Sequence, residues 1–246
     1  LSFILSYDSI TLAKQFTLIE KDALSEVDWR ELIDLQWSQE LKPITSWLQL
    51  LLKKNVRGID LVISRFNLTV NWIVSEILLT NDEKYRRDTI SRFIHIANNC
   101  FKLQNYSTLM QIVLALTTPR IKELYYTWNK MDASDIFTLR TLETFAHSEG
   151  NFLKLRKEIE SIIPSKGCIP FFGLYLSDLT FNASKPEPLD ISDDDTLVNL
   201  ERFTSSSKIV RNFIQCIQWS KLYDFEPIPE IISKCVYIKS LTKEEM

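Results

Sequence analysis

The sequence contains little glycine and proline and no closely spaced cysteines or histidines. Its 246 residues include only 4 glycines and 8 prolines, which is few for an all-β or α/β chain of this length. The 4 cysteines include no CxxC pair, and the 2 histidines form no HExxH motif. These absences argue against a metal site and a disulfide framework. They favour an all-helical protein with reduced, buried cysteines.

A strong charge imbalance is also missing. The formal net charge is −3 and the isoelectric point is near 5.6, so the chain has no general attraction for nucleic acid or an anionic membrane. We see no phosphate-binding glycine loop, no signal peptide and no apolar run expected to span a bilayer. We therefore expect no cofactor, no nucleic-acid partner and no transmembrane segment. Because the first residue is Leu1, we expect a domain of a longer protein.

Hydrophobic residues recur at three- and four-residue steps through most of the chain. The clearest stretch, residues 84–128, holds two long helical patterns separated by the string LQNYS, in which Asn105 or Ser107 can cap the second helix. Residues 59–79 are almost continuously apolar at a length typical of a helix. Helices that are apolar on several sides belong to the centre of a core. The pattern predicts one large all-α domain spanning residues 1–246.

Single residues predict several helix ends. Asp8 or Ser9 can cap the first helix, and Thr80, Asn81 or Asp82 can cap the helix that follows them. The glycines within residues 55–58 and 149–151 favour helix C-termini.

Residues 164–219 have a different pattern. Prolines and a glycine force a loop at residues 164–170, and a crowded apolar helix follows from residue 171. Residues 182–196 are polar, acidic and proline-bearing, which predicts an exposed and partly mobile loop. Helical spacing resumes from residue 200 to residue 219. The segment 171–219 is therefore a candidate helical hairpin.

Three ordered blocks of sequence resemble one known family. They are AKQFTLIEKD at residues 13–22, RFNLTVNWIVSEIL with RRDTISRFIHIANNCFKLQNYSTLMQIVLAL between residues 65 and 116, and CIPFFGLYLSDLTF at residues 168–181. Together they resemble the catalytic domain of the Ras-type guanine-nucleotide exchange factors over nearly the whole chain. Strings such as GIDLVISRFNLTVNWIVSEILLT and NFIQCIQWSK resemble the fungal members that act in mitotic exit.

The resemblance implies a fold, a partner and a set of site residues. Family members are all-α, and a projecting helical hairpin displaces switch 1 of a small Ras-like GTPase and disturbs its magnesium and phosphate site, so that GDP leaves. By position, Phe171 and Phe172 would seat the hairpin on the core. The residues implied to enter the nucleotide site are Ser177, Thr180 and Ser184, and those implied to touch the GTPase are Asn67, Met110, Thr117, Lys122 and Lys208.

The sequence departs from the family at several of these positions. The acidic string that usually follows the first hairpin helix is NASKP here, so Ser184 supplies no carboxylate. Thr117 replaces the usual Asn, Glu123 replaces the usual Arg, and the basic start of the second hairpin helix keeps only Lys208. Each loss removes a polar or charged contact, and a hydrogen bond to a charged group contributes about 1.5–3 kcal/mol.

Two functions therefore stay open: an exchange factor, and a GTPase-binding anchor with little or no exchange activity. A helical scaffold without a GTPase partner is a third reading, because exposed serines and threonines such as Ser177 are usually only solvated. No covalent bond changes during exchange, so the sequence leaves open whether the domain is an enzyme. The resemblance further implies a monomeric domain, in a protein of the cytoplasm and the bud cortex.

Overall fold

The computed structural model describes residues 2–35, 37, 42–52, 56–186, 188–192, 195–242 and 244–245. Most of these residues are helical, which confirms the all-α prediction. Short 3₁₀ helices span Phe3–Ser6 and Pro164–Lys166. The α-helices are α1 Ser9–Ser25, α2 Trp29–Ile33, α3 Trp47–Leu51, α4 Gly58–Leu79, α5 Glu83–Lys102, α6 Tyr106–Leu116, α7 Pro119–Lys122, α8 Tyr125–Trp128, α9 Ala133–Ala146, α10 Leu153–Glu160, α11 Phe172–Ala183, α12 Leu200–Ser220 and α13 Pro229–Val236.

The structure decides between the alternative caps. Asp8, Asp82 and Asn105 each accept a hydrogen bond from the backbone N–H three residues further on, at 2.8, 3.0 and 3.0 Å. A side-chain acceptor at this position satisfies one of the free N–H groups of a helix start. Ser9 and Ser107 lie inside helices α1 and α6 instead.

Helices α4, α5 and α6 form the centre of the core, with α1 packed against all three. The indole of Trp72 on α4 is 2% exposed and contacts the rings of Phe16 and Phe93, with centroids 6.2 and 5.8 Å away. Helix α4 is long and apolar enough to cross a membrane, contrary to the sequence-based expectation, but 56% of its apolar window is buried inside this core. It packs as the core helix of a globular domain.

A buried polar network ties these helices together. The carboxylate of Glu20 on α1 accepts hydrogen bonds from Arg65 Nε at 3.0 Å, Ser107 Oγ at 2.9 Å and Gln111 Nε2 at 3.1 Å. Arg65 and Glu20 are 1% and 4% exposed. Ser107 and Gln111 satisfy the Glu20 carboxylate, whereas Arg65 Nη1 and Nη2 are buried without a hydrogen-bond partner among the described residues. The guanidinium of Arg65 lies over the ring of Trp47, 5.4 Å from its centroid.

Two glycines act differently from the helix C-termini predicted for them. Gly58 begins helix α4, and a Cβ atom there would lie 1.9 Å from the carbonyl oxygen of Glu26, so glycine allows a close approach of two backbones. Asn55 lies outside the described residues. Helix α9 already ends at Ala146, and Gly150 belongs to a left-handed turn that leads into α10.

The loop predicted at residues 182–196 contains β-structure. Strands β1, Pro188–Ser192, and β2, Asp195–Val198, pair antiparallel, with Pro188 opposite Val198. They connect α11 to α12. The sequence pattern failed here because a polar, acidic segment satisfies its backbone by local pairing without a hydrophobic signal.

Candidate functional site

Helices α11 and α12 pack on one another as a hairpin, and their ends lie within two residues of the predicted ones. The buried side-chain amide of Asn182 donates to the Arg202 carbonyl oxygen and to Ser206 Oγ, both at 2.7 Å. Nearer the base, the rings of Phe172 and Phe213 lie 5.1 Å apart. These contacts hold the two helices together along their length.

The far end of the hairpin is closed by polar contacts. Asn199 caps α12 by accepting from the Arg202 N–H at 3.1 Å, and its amide donates to the Pro186 carbonyl oxygen at 2.8 Å. Lys185 and Glu201 form an ion pair at 3.1 Å across the two helices. Contacts near the base and at the far end therefore both join α11 to α12, and we call the hairpin braced in this sense.

Three hydroxyl-bearing residues, Ser177, Thr180 and Ser184, are exposed on or at the end of α11. Their spacing of three and four residues places them on one face. Ser184 is the C-cap, and its hydroxyl donates to the Phe181 carbonyl oxygen at 2.7 Å. Lys208 is exposed on α12. This face is neutral on the α11 side, and the ring of Phe181, 72% exposed, lies beside it.

At the base of the hairpin, Phe171 contacts two aromatic rings of the core. Its ring lies 5.5 Å from that of Phe66 on α4 and 6.0 Å from that of Phe152, just before α10. Gly173 leaves room for this ring, since a Cβ atom at position 173 would lie 2.7 Å from Phe171 Cζ. We call Phe66, Phe152 and Phe171 the aromatic cluster. Its three members are half-buried.

The sequence did not identify Phe66 and Phe152 as residues of the hairpin base. Phe66 stands one residue before Asn67, but nothing in the sequence pairs it with residues about ninety and a hundred positions later. Phe152 adopts a left-handed backbone conformation, with φ of 59°, which no local pattern signals for a bulky residue.

The core residues predicted to touch a partner differ in how far they are exposed to solvent. Asn67 is exposed on α4, and Lys122 is exposed on α7. Thr117 is half-buried, and its hydroxyl donates to the Val113 carbonyl oxygen at 2.9 Å. Met110 is 0% exposed, so the prediction of a direct contact is corrected there. It faces the core because α6 is surrounded by α4, α5 and α9.

These residues form two regions of the surface. Asn67 lines a cavity of about 350 Å³ together with Pro43, Ile44 and Asn71, among other residues. Lys122 instead lines a groove of about 330 Å³ with Tyr125, Trp128 and Arg140 among other residues. In the described part of the chain, no hydrogen bond connects the hydroxyl face of α11 with Thr117 or Lys122.

The cysteines are all buried and free, as the sequence predicts. Burial raises the pKa of the Cys235 thiol to about 12, and the pKa of Cys100 is raised for the same reason. Thiols with raised pKa values are poor nucleophiles and metal ligands. Among residues that the structure describes, no group of three histidine, cysteine or acidic side chains could hold a metal ion.

The fold and the site define an all-α domain that carries a helical hairpin with an exposed hydroxyl face. Comparison with known proteins gives this class its family. A model of the RasGEF domain matches residues 11–204, which is most of the chain. The protein therefore belongs to the RasGEF domain family.

Individual relatives agree with this assignment. The chain is 48% identical over 245 residues to the guanine nucleotide exchange factor LTE1 of Kluyveromyces lactis and 46% identical to that of Saccharomyces cerevisiae. It is 29% identical over 235 residues to the Ras guanine nucleotide exchange factor A of Dictyostelium discoideum. The three matches cover 99%, 99% and 95% of this chain but only 18%, 17% and 36% of the relatives.

Proposed function

We propose that this chain is a guanine-nucleotide exchange domain that acts on a small Ras-like GTPase, within a regulator of mitotic exit. The observation that carries the proposal is the hairpin of α11 and α12, which is braced internally, exposed on its outer face and seated on the core through Phe171. Membership of the RasGEF family and the names of the fungal relatives support it.

The proposed mechanism is a shift between binding states. A domain that binds the nucleotide-free GTPase more tightly than the nucleotide-bound form lowers the affinity of the GTPase for GDP by the same factor. The hairpin is the element that distinguishes the two forms, because it needs the space next to the nucleotide. No residue has to form a covalent bond.

The residues then have separate roles. Phe171 seats the hairpin, and Ser177, Thr180 and Ser184 face the nucleotide site. The residues that hold the body of the GTPase are Asn67, Thr117, Lys122 and Lys208. Met110 supports this surface from inside the core, where it has no exposed area.

A second candidate function is an anchor that binds the GTPase with little or no acceleration of GDP release. The neutral hydroxyl face of α11 favours it. Displacing a nucleotide with its magnesium ion needs groups that compete for cations or occupy the metal site, and carboxylates do this better than hydroxyls. An anchor needs only the docking surface, which these hydroxyls leave intact.

Fluorescent-GDP release from a panel of Ras-like GTPases separates the two functions. We expect slow but measurable acceleration by the wild-type domain and a larger effect for Ser184→Glu. Ser148→Glu, at an exposed position in the loop between α9 and α10, is the matched control for the added charge. Release by Ser184→Glu equal to that by wild type, with binding intact, would reject a role for the hairpin end in exchange.

Binding to the GDP-bound, GTP-bound and nucleotide-free GTPase tests the partner itself. An exchange domain prefers the nucleotide-free form, whereas an anchor binds one nucleotide-bound form at least as well. Lack of binding to every form across the panel would leave only the scaffold reading. The same samples, analysed by sedimentation, test our proposal that the isolated domain is a monomer.

We also propose, from the likeness to fungal mitotic-exit proteins, that the full-length protein resides in the cytoplasm and at the bud cortex. Fluorescent tagging of the full-length protein tests this. A signal confined to another compartment throughout the cell cycle would contradict it.

A further inference from the structure

An ion pair connects the hairpin to helix α10. Arg156 Nη1 and Nη2 donate to the two carboxylate oxygens of Asp178 on α11, each at 2.8 Å, and both side chains are a little under one-third exposed. Two parallel hydrogen bonds between planar groups restrict relative rotation as well as separation. Asp178 follows Ser177 directly, so the pair lies next to the hydroxyl face.

The same arginine holds the turn that precedes α10. Arg156 Nε donates to the Asn151 carbonyl oxygen at 2.8 Å. Gly150, Asn151 and Phe152 have consecutive φ angles of 64°, 56° and 59°, a conformation that non-glycine residues adopt rarely and that surrounding contacts must maintain. Phe152 belongs to the aromatic cluster and contacts Phe171 at the hairpin base. Arg156 is therefore hydrogen-bonded both to the hairpin and to the turn that positions Phe152.

The packing between α10 and the hairpin is incomplete at this place. A cavity of about 170 Å³ is lined by Ile159, Leu174 and Ile209 together with the ion-paired residues. Helix α11 otherwise makes its main helix contact with α12. Helix α12 in turn packs on α1 and α2. The Arg156–Asp178 pair adds a direct polar contact between α10 and α11 beside the cavity, and it therefore contributes to the angle of α11 to the core.

We propose that Arg156 is a positioning residue, which sets the angle of the hairpin to the core by binding Asp178 and the left-handed turn together. The proposal rests on the proposed function, in that it assigns to this pair the orientation of the hydroxyl face relative to the GTPase. Because the hairpin is braced internally, a change of angle at its base moves its far end as a unit.

The angle can be measured without a GTPase. Pulsed electron paramagnetic resonance between two spin labels reports the distance from the hairpin to the core. The labels are attached at Ser207→Cys on α12 and Lys102→Cys on α5, both exposed positions outside the proposed site. The native cysteines are buried and remain in place. Arg156→Gln, Asp178→Asn and their combination remove the pair. Glu201→Gln is the matched control, since it breaks an ion pair within the hairpin.

We expect a single narrow distance distribution for the labelled parent and for Glu201→Gln. Arg156→Gln and Asp178→Asn broaden it, and the double variant is no broader than Arg156→Gln alone, because Arg156→Gln already removes the pair with Asp178. Unchanged distributions in both single variants, or independent and additive broadening, would overturn the proposal. High ionic strength also broadens the distance distribution of the labelled parent, because salt weakens the ion pair. This measurement needs no substitution at Arg156 or Asp178, so it tests the proposal even if a variant does not fold.

GDP release provides the functional measurement. We expect Arg156→Gln and Asp178→Asn to slow GDP release from the GTPase by roughly three- to tenfold, the range for one partly exposed ion pair that acts on the transition state. The affinity for the GTPase should fall by a smaller factor. A broadened distribution with unchanged release would reject the role in exchange. If the wild-type domain does not accelerate GDP release from any GTPase of the panel, the proposed function fails, while the distance measurement still tests the positioning role.

Discussion

Gly173 lies at the second position of helix α11, under the ring of Phe171. Replacing it with alanine has two opposing effects on stability: a gain in helix propensity and a steric clash with this ring. In an exposed helix interior, alanine is more favourable than glycine by up to about 1 kcal/mol. A Cβ atom at position 173, however, would lie 2.7 Å from Phe171 Cζ. Helix propensity alone predicts that Gly173→Ala stabilises the protein. We expect it to destabilise instead.

The expected size follows from what surrounds the ring. Phe171 cannot simply swing away from position 173, because it also contacts Phe66 and Phe152. Overpacking of this kind costs about 1–3 kcal/mol, so a net loss of about 1 kcal/mol remains after the propensity gain. Phe171→Ala alone should cost about 2–4 kcal/mol, less than a fully buried phenylalanine because the ring is half-buried. In that background Gly173→Ala should become stabilising.

Urea unfolding of the wild type, the two single variants and the double variant measures this cycle. Phe137→Ala is the matched control, since Phe137 is 73% exposed, and we expect a change within about 0.5 kcal/mol. Both Phe171→Ala and Gly173→Ala should also weaken GTPase binding, because the hairpin loses its seat. The same sign for Gly173→Ala in both backgrounds would refute the reasoning that the ring position requires glycine.

Three further predictions concern the core. Arg65→Met should cost about 3–5 kcal/mol by leaving the Glu20 carboxylate buried without its cation, and Glu20→Gln in the same chain should recover part of that loss; equal unfolding free energies for the single and double variants would contradict this. Gly58→Ala should lower the melting temperature strongly, since its Cβ would overlap the Glu26 carbonyl oxygen, and an unchanged melting curve would contradict the close approach. A thiol reagent should modify no cysteine before unfolding, and rapid modification under native conditions would show that one of the following is accessible: Cys100, Cys168, Cys216 or Cys235.

Local patterns predicted the helices that are long and strongly periodic. The hairpin was expected at residues 171–219, and its helices are Phe172–Ala183 and Leu200–Ser220. The correct caps were among the alternatives in each case, but choosing Asp8 over Ser9 required the backbone geometry of the helix start. Neighbouring serine and aspartate residues have similar capping preferences, so the sequence cannot rank them.

Burial was the weakest part of the site prediction. Thr117 and Met110 both belong to the α6 region predicted to contact a partner, yet Thr117 is partly accessible and Met110 is enclosed. A helix that is apolar on every side has no periodic signal that tells its outer face from its inner faces. Only the placement of α4, α5 and α9 around α6 shows which side chains remain accessible.

The sequence by itself determined the helical class, the positions of the long helices, the hairpin and the likeness to Ras-type exchange factors, because these depend on spacing and residue type along short stretches. The tertiary structure decided how Phe66, Phe152 and Phe171 meet, that Arg156 binds Asp178, and that Gly58 permits a backbone contact. These contacts join residues far apart in sequence, and their geometry depends on the packing of whole helices. No local propensity contains that information.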